Sequence, residues 1–192
     1  MNDSSWHDVV LGDDKLRLRP IRETDWGLIY KWCNDPEVLY YSDSPTAKGH
    51  DLDGIKNSVF QAGSRSRFCF VMEAYGEVIG ECWLQKMNLE RILKEHATKD
   101  CRRIDLSIGE KQYWGKGNGT RAIAMLTDFG FSIEKADLIF GIVGDYNLRS
   151  QRAFQKNGYQ LHVKIPQPDS GVDYDLCLTR EEYLRISGSR TT

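Results

Sequence analysis

The stretch IGEKQYWGKGNGTRAIAMLTDFGF runs from Ile108 to Phe131 and decides the reading of the whole chain. Gly115, Gly117 and Gly119 occupy every second position. Before them, RRIDLSIG places Ile104, Leu106 and Ile108 on one face and Asp105 and Ser107 on the other, which predicts a strand. After them, Ile123, Leu126, Thr127 and Phe131 predict the inward face of a helix from about 119 to 134. A helix N-terminus leaves about four N–H groups without intrahelical acceptors and carries roughly half a positive charge. Glycines ahead of it let a bulky anion approach the backbone. The unit therefore reads as a phosphate loop, with a ligand-free glycine turn as the alternative. Lys116 is followed by Gly117, which excludes a Walker A loop. The third glycine of a dinucleotide fingerprint would fall on Thr120, which excludes that too.

Working outward, KLRLRPI alternates as a strand. A helix follows, capped by Thr24 or Asp25, with Trp26, Ile29, Tyr30 and Cys33 as its apolar stripe and Asn34, Asp35 and Pro36 as its end. Residues 50–62 predict a second helix. RFCFVMEAYGEVIGECWLQKM predicts a hairpin turning at Tyr75, Gly76 and Glu77. Residues 88–100 are charged and carry no clear period. DLIFGIV is continuously apolar, as a strand covered on both faces would be. NLRSQRAFQKNG predicts a helix with Asn147 at its cap and Gly158 just past its end, followed by two antiparallel strands in YQLHVKI and VDYDLCLT. Strands with helices between them give an α/β or α+β sheet domain. Residues 1–14 and 187–192 are expected to be flexible, with one domain over 15–186.

The chain has 192 residues, enough for one domain with a full core. Its net charge of −2 gives no nucleic-acid footprint. Five cysteines, Cys33, Cys69, Cys82, Cys101 and Cys177, include no C-x-x-C pair and are odd in number. That argues against a disulfide framework and against a zinc site, so no metal is expected. His7, His50, His96 and His162 are scattered and form no triad with a cysteine. The opening MNDSSWHDVV has neither the basic nor the apolar region of a signal peptide. No apolar run approaches the ~20 residues that span a bilayer. A cytoplasmic chain without membrane partners is expected, as a monomer or a homodimer.

What remains of the loop is Q-x-x-G-x-G, spelled by Gln112, Gly115 and Gly117. It resembles the acetyl-CoA pyrophosphate loop of the GNAT family of N-acetyltransferases. LRLRPIRETDWGLIYKWCNDPEV is similar to the opening of the ribosomal-protein-alanine and aminoglycoside 6′-N-acetyltransferase branches, and GEVIGECWL to the family's central hairpin. About thirty residues beyond the loop, Asn147, Ser150, Phe154, Gly158 and Tyr159 resemble the family's second signature. The resemblance implies a mixed, mostly antiparallel sheet of about six or seven strands, splayed in the middle and flanked by about four or five helices. It implies acetyl-CoA as co-substrate. Leu106, Ser107 and Ile108 would face the thioester arm. The backbone from Gln112 through Tyr113, Trp114, Gly115, Lys116 and Gly117, with Asn118, Gly119 and Thr120, would hold the pyrophosphate. Lys116 and Arg121 can add charge. Asn147, Ser150 and Phe154 fall on the cofactor side, although a helix cap explains Asn147 equally well.

The implied reaction is direct acetyl transfer to an amine in a ternary complex. A free alkyl amine has a pKa of about 10.4, so a carboxylate must take its proton near neutral pH. The oxyanion needs a donor, which the resemblance assigns to strand backbone. Asp105 is the first candidate base, since it alternates away from the core and resembles an acceptor-site Asp of the aminoglycoside branch. The alternative is a strand Asp paired with Arg103. Glu81 is the second candidate. Phe154 stands where many members have Tyr, so no acid is assigned; Ser150 can relay through water, and Tyr159 reads as a packed strand start. Trp32, Trp83, Trp114, Tyr40 and Tyr41 are candidates to line an acceptor pocket, with core packing the stronger reading; Tyr40 and Tyr41 are the best of them. The acceptor is a small-molecule amine, such as an aminoglycoside or metabolite, or a peptide N-terminus. Only Asp145 lies near where the antibiotic branch often has a second acid. A non-catalytic acyl-CoA sensor and a structural domain are the rival readings.

Overall fold

A computed structural model describes residues 7–60, 67–168 and 171–188. The expected flexible ends lie partly outside these, at 1–6 and 189–192, as do the last two residues of the helix expected over 50–62. The strands are β1 (Leu11–Gly12), β2 (Arg17–Pro20), β3 (Arg67–Ala74), β4 (Glu77–Lys86), β5 (Cys101–Ile108), β6 (Leu138–Gly144), β7 (Gln160–Gln167) and β8 (Gly171–Thr179). The helices are α1 (Trp26–Trp32), α2 (Pro36–Ser42), α3 (Leu52–Phe60), α4 (Glu90–Glu95), α5 (Asn118–Ser132), α6 (Leu148–Lys156) and α7 (Arg180–Gly188). The sheet runs β1-β2-β3-β4-β5-β6-β8-β7. Its β5–β6 pair is parallel, while β1–β2, β2–β3, β6–β8 and β7–β8 are antiparallel.

Among the described residues, eight strands and seven α-helices exceed the expected counts for local reasons. β1 is two residues long, too short to show a period. Pro36 was expected to end α1's segment but instead opens α2: the Asp35 side chain accepts from the Glu37 and Val38 N–H groups, and proline fits a first helical turn. α4 has six residues with Ile92 buried, and α7 buries none, so neither prints an apolar stripe.

The chain forms two compact units, and β4, β5 and α5 each contribute to both. The first unit takes residues up to Trp83 and Leu106–Ala122. Its core gathers Ile21, Trp26, Ile29, Trp32, Val38, Ile55, Val59, Cys69 and Val71. The buried arc of α1 passes through Trp26, Ile29 and Trp32, which turns Tyr30 outward, contrary to expectation. Asp25 does not cap α1 with its side chain. Its buried carboxylate instead receives Arg19 Nη1 and Nη2 at 2.7 and 2.9 Å and the Arg22 N–H at 2.7 Å. Near the start of the described chain, His7 is buried, with Nε2 3.1 Å from the Cys69 carbonyl oxygen.

The second unit takes Leu84–Asp105 and the chain from Ile123 onward. Met87, Ile92, Cys101, Leu138, Phe140 and Cys177 pack together in it. Ile123, Leu126, Thr127 and Phe131 of α5 are buried as expected. None of the five cysteines forms a disulfide. Burial pushes the thiols of Cys33 and Cys177 up to about 12 and that of Cys101 to about 11, which keeps them unreactive. Among the described residues no helix is long and apolar enough to cross a membrane.

Candidate active site

In the first unit, β5 delivers Leu106, Ser107 and Ile108, all half-buried, to the loop ahead of α5. Gly80 allows this: a Cβ there would lie 2.2 Å from the Ser107 carbonyl oxygen and 2.8 Å from Ile108 Cα. The Glu110 N–H then donates to the Ile79 carbonyl at 3.0 Å. A short 3-10 turn spans Lys111–Tyr113. Gly115 and Gly117 have φ of +71° and +83°, the left-handed region that L side chains enter only at a cost. Among the described residues, their chain neighbours aside, no atom lies within 4 Å of where their Cβ atoms would be, so these glycines serve the backbone path and leave the outer face open. The Arg121 N–H closes the first turn of α5 on the Gly117 carbonyl at 3.0 Å. The N–H groups of Asn118 and Gly119 precede it and have no intrahelical acceptor. The turn thus has the form of an anion site.

Two of the expected donors are already engaged. The Tyr113 N–H donates to the Glu110 carbonyl at 2.9 Å and the Trp114 N–H to the Lys111 carbonyl at 3.0 Å. The 3-10 turn consumes them, and the expectation that every N–H from Gln112 to Gly117 serves phosphate is corrected to that extent. Asn118 is buried, with Nδ2 3.4 Å from the Tyr113 carbonyl oxygen. Lys116 sits over the Tyr113 ring at 5.2 Å. Arg121 pairs with Asp13 at 2.9 Å. Gln112 is exposed. Thr120 is half-buried in the first turn.

The loop is anchored by residues that sequence reasoning missed. Glu110 Oε1 accepts from Trp32 Nε1 at 2.9 Å and from Lys31 Nζ at 2.6 Å. Lys111 reaches Asp35 and Glu37 at 2.9 and 3.0 Å. Exposed pairs of this kind contribute about 0–1 kcal/mol, so their effect is on geometry more than stability. Packing fixes the loop harder. A Cβ on Gly109 would lie 2.1 Å from the Trp32 ring. Gly109→Ala is therefore expected to cost about 1–3 kcal/mol and to weaken acetyl-CoA binding as the loop shifts. Thermal melts and calorimetric titration check this; an unchanged melt would mean that Trp32 yields.

The aromatic candidates divide by burial. Trp32 is core. Trp83 and Trp114 are half-buried against the same cluster, and Trp114 Nε1 donates to the Ile108 carbonyl at 2.6 Å. Tyr41 stands edge-on to Trp114 at 5.6 Å, and Tyr40 is the more exposed of the two tyrosines. Glu81 is half-buried on β4, and its charge adds to the burial that raises the Cys33 thiol.

The second unit holds the remaining candidates. The β5–β6 ladder pairs Cys101, Arg102 and Arg103 with Leu138, Ile139 and Phe140. Asp105 follows two residues later on β5. Its Oδ2 accepts from Gln85 Nε2 at 2.5 Å and from Arg103 Nε at 2.9 Å. The pairing with Arg103, expected as the alternative to catalysis, is present; Gln85 was not anticipated. Asn147 caps α6 by accepting from the Ser150 N–H at 3.1 Å. Phe154 is buried, and a Cβ on Gly141 would fall 2.4 Å from its ring. That places Phe154 in the packing between α6 and β6. Tyr159 is buried, and its hydroxyl lies 2.8 Å from Thr127 Oγ1. Burial holds its phenol far above the usual range, consistent with a packed residue. The strand pairing also sets Gly144 opposite Asp173 and Ile142 opposite Asp175, so acids on β8 join Asp145 near the end of β6.

The profile of the acetyltransferase (GNAT) domain matches residues 15–160, from β2 to the start of β7. The chain belongs to the GNAT acetyltransferase family. Among its relatives, an uncharacterized N-acetyltransferase p20 of Bacillus licheniformis is 26% identical over 158 residues, 78% of this chain and 84% of the relative. An aminoglycoside N(6′)-acetyltransferase type 1 of Klebsiella pneumoniae is 23% identical over 182 residues, 92% and 89% of the two chains. The fold is shared with a spermidine N-acetyltransferase of Vibrio cholerae, solved in complex with CoA and spermine. The TM-score is 0.73 at 17% identity, over 90% of this chain and 99% of that one.

Proposed function

We propose that this GNAT protein transfers the acetyl group of acetyl-CoA directly to the amine of a small cationic molecule. The observation that carries the reading is the left-handed Gly115–Gly117 turn at the mouth of α5, open on its outer face, in a chain of acetyltransferase lineage. Gly115, Lys116 and Gly117, with the first N–H groups of α5, hold the pyrophosphate. Leu106, Ser107 and Ile108 run beside the thioester arm. In the second unit Asn147 caps α6 by accepting from the Ser150 N–H, and Phe154 packs that helix on Gly141.

Asp105 takes the proton of the attacking amine, directly or through one water. Among the described residues both of its bonds fall on Oδ2, which leaves Oδ1 to receive the proton. The amine lone pair attacks the thioester carbon, the C–S bond breaks, and the CoA thiolate leaves and takes up a proton. Glu81 is the second candidate for the base. A cationic acceptor is supported by the relative named for aminoglycosides and the neighbour solved with spermine.

The test is free-thiol release from acetyl-CoA with kanamycin-type aminoglycosides, spermidine and short peptides bearing free N-termini. Release with either of the first two is expected. Release with peptides alone would overturn the small-molecule reading, and acetyl-CoA binding with silence across the panel would favour a sensor.

A further inference from the structure

In the second unit, the end of α4 and strand β7 bring three ligating side chains together. Glu95 is the last residue of α4, His96 caps it, and His162 lies on β7, which ends the sheet. One donor atom from each lies within 4.8 Å of the other two. His162 Nε2 is 3.0 Å from Glu95 Oε1, and His96 Nε2 is 3.7 Å from the same oxygen. The His96 and His162 rings are 5.8 Å apart, and each stands 5.9 Å from Phe140, a core residue that backs them both. His96 Nε2 is shielded from solvent and has no hydrogen-bond partner among the described residues. A buried polar atom in that state calls for an explanation, and an ion bound there would provide one.

We propose that Glu95, His96 and His162 bind a divalent transition-metal ion of the zinc class, which clips α4 to the edge strand. Tetrahedral bonds of about 2.0–2.1 Å place ligand atoms roughly 3.3–3.4 Å apart. The separations of 3.0 and 3.7 Å bracket that value and all three donor atoms lie within 4.8 Å of one another, so side-chain rotation over that span would complete the site. Two imidazoles and one carboxylate suit zinc and its neighbours and do not suit magnesium or calcium, which take oxygen ligands. The carboxyl of Glu95 is held below its usual range, chiefly by the hydrogen bond from His162, so an anionic ligand is ready at neutral pH. On binding, His162 gives up its Nε2 proton where it carries one, and the nitrogen lone pair turns to the ion. The protein supplies three ligands, and water takes the fourth position. The ligands come from residues 95–96 and 162, so no local spacing reveals them.

The experiment uses the full chain, stripped of metal and dialysed against Zn²⁺, with bound zinc measured by atomic emission. One ion per chain is expected, and saturating Zn²⁺ should raise Tm by roughly 5 °C while Mg²⁺ does not. His162→Gln, at a solvent-accessible strand position, should bind Zn²⁺ roughly tenfold or more weakly and lose the Tm shift. Glu95→Gln should do the same, and it keeps the test valid if His96→Gln fails to fold. His50→Gln, in the other unit, should bind as wild type. Equal zinc binding by wild type and His162→Gln, or none by wild type at micromolar Zn²⁺, would overturn the proposal.

Discussion

Asp105→Asn is expected to lower kcat for acetyl transfer by about 10²-fold or more while leaving acetyl-CoA affinity within about twofold. The substitution keeps the shape of the side chain and its hydrogen bond with Gln85. It removes the charge that holds Arg103 at 2.9 Å and the oxygen that accepts the amine proton. The Arg103 pair gives Asp105 a structural role as well, and the two roles separate experimentally. If Asp105 serves only to hold Arg103, Asp105→Asn lowers Tm and spares kcat. If it is the base, kcat falls even when folded protein is compared with folded protein. The loss should shrink as pH rises and the amine deprotonates in solution, whereas a loss from misfolding would not. Full activity in Asp105→Asn would transfer the role to Glu81.

Gly117→Val is expected to raise the Kd for acetyl-CoA by about tenfold or more. Gly117 has φ of +83°, where a β-branched residue incurs a strain of order 1–3 kcal/mol, and 1.4 kcal/mol is tenfold in affinity. There is no internal clash to blame, since a Cβ at Gly117 meets nothing within 4 Å. The effect must therefore come through the backbone and through bulk on the face where the anion docks. Gly119→Ala is the matched control. It has no positive φ, and its Cβ would make an ordinary 3.4 Å contact with Leu106 Cδ1, so Kd should change little. Titration calorimetry with acetyl-CoA reads both. Equal affinity in Gly117→Val would remove the phosphate-loop assignment, because no other site proposed for the cofactor depends on that turn.

The family, the glycine turn and the α5 core face were legible in the sequence. They depend on local properties: alternation along β5, spacing along α5, and glycines at the two positions that need left-handed backbone. The cap at Asn147 and the turn at Gly158 were legible for the same reason, since each acts on backbone a few residues away. α2 and α4 were not, because Pro36 reads equally as a stop and as a first helical residue, and α4 has too few residues for a period. The sequence by itself therefore determined the family, the glycine turn and the order of the main strands and helices. Only the tertiary structure decided that Trp32 and Glu110 hold the loop, that Gln85 and Arg103 hold Asp105, and that Glu95, His96 and His162 meet. Those partners are up to 78 residues apart in the chain, and a contact at that separation follows from sheet order and packing, which local patterns do not encode.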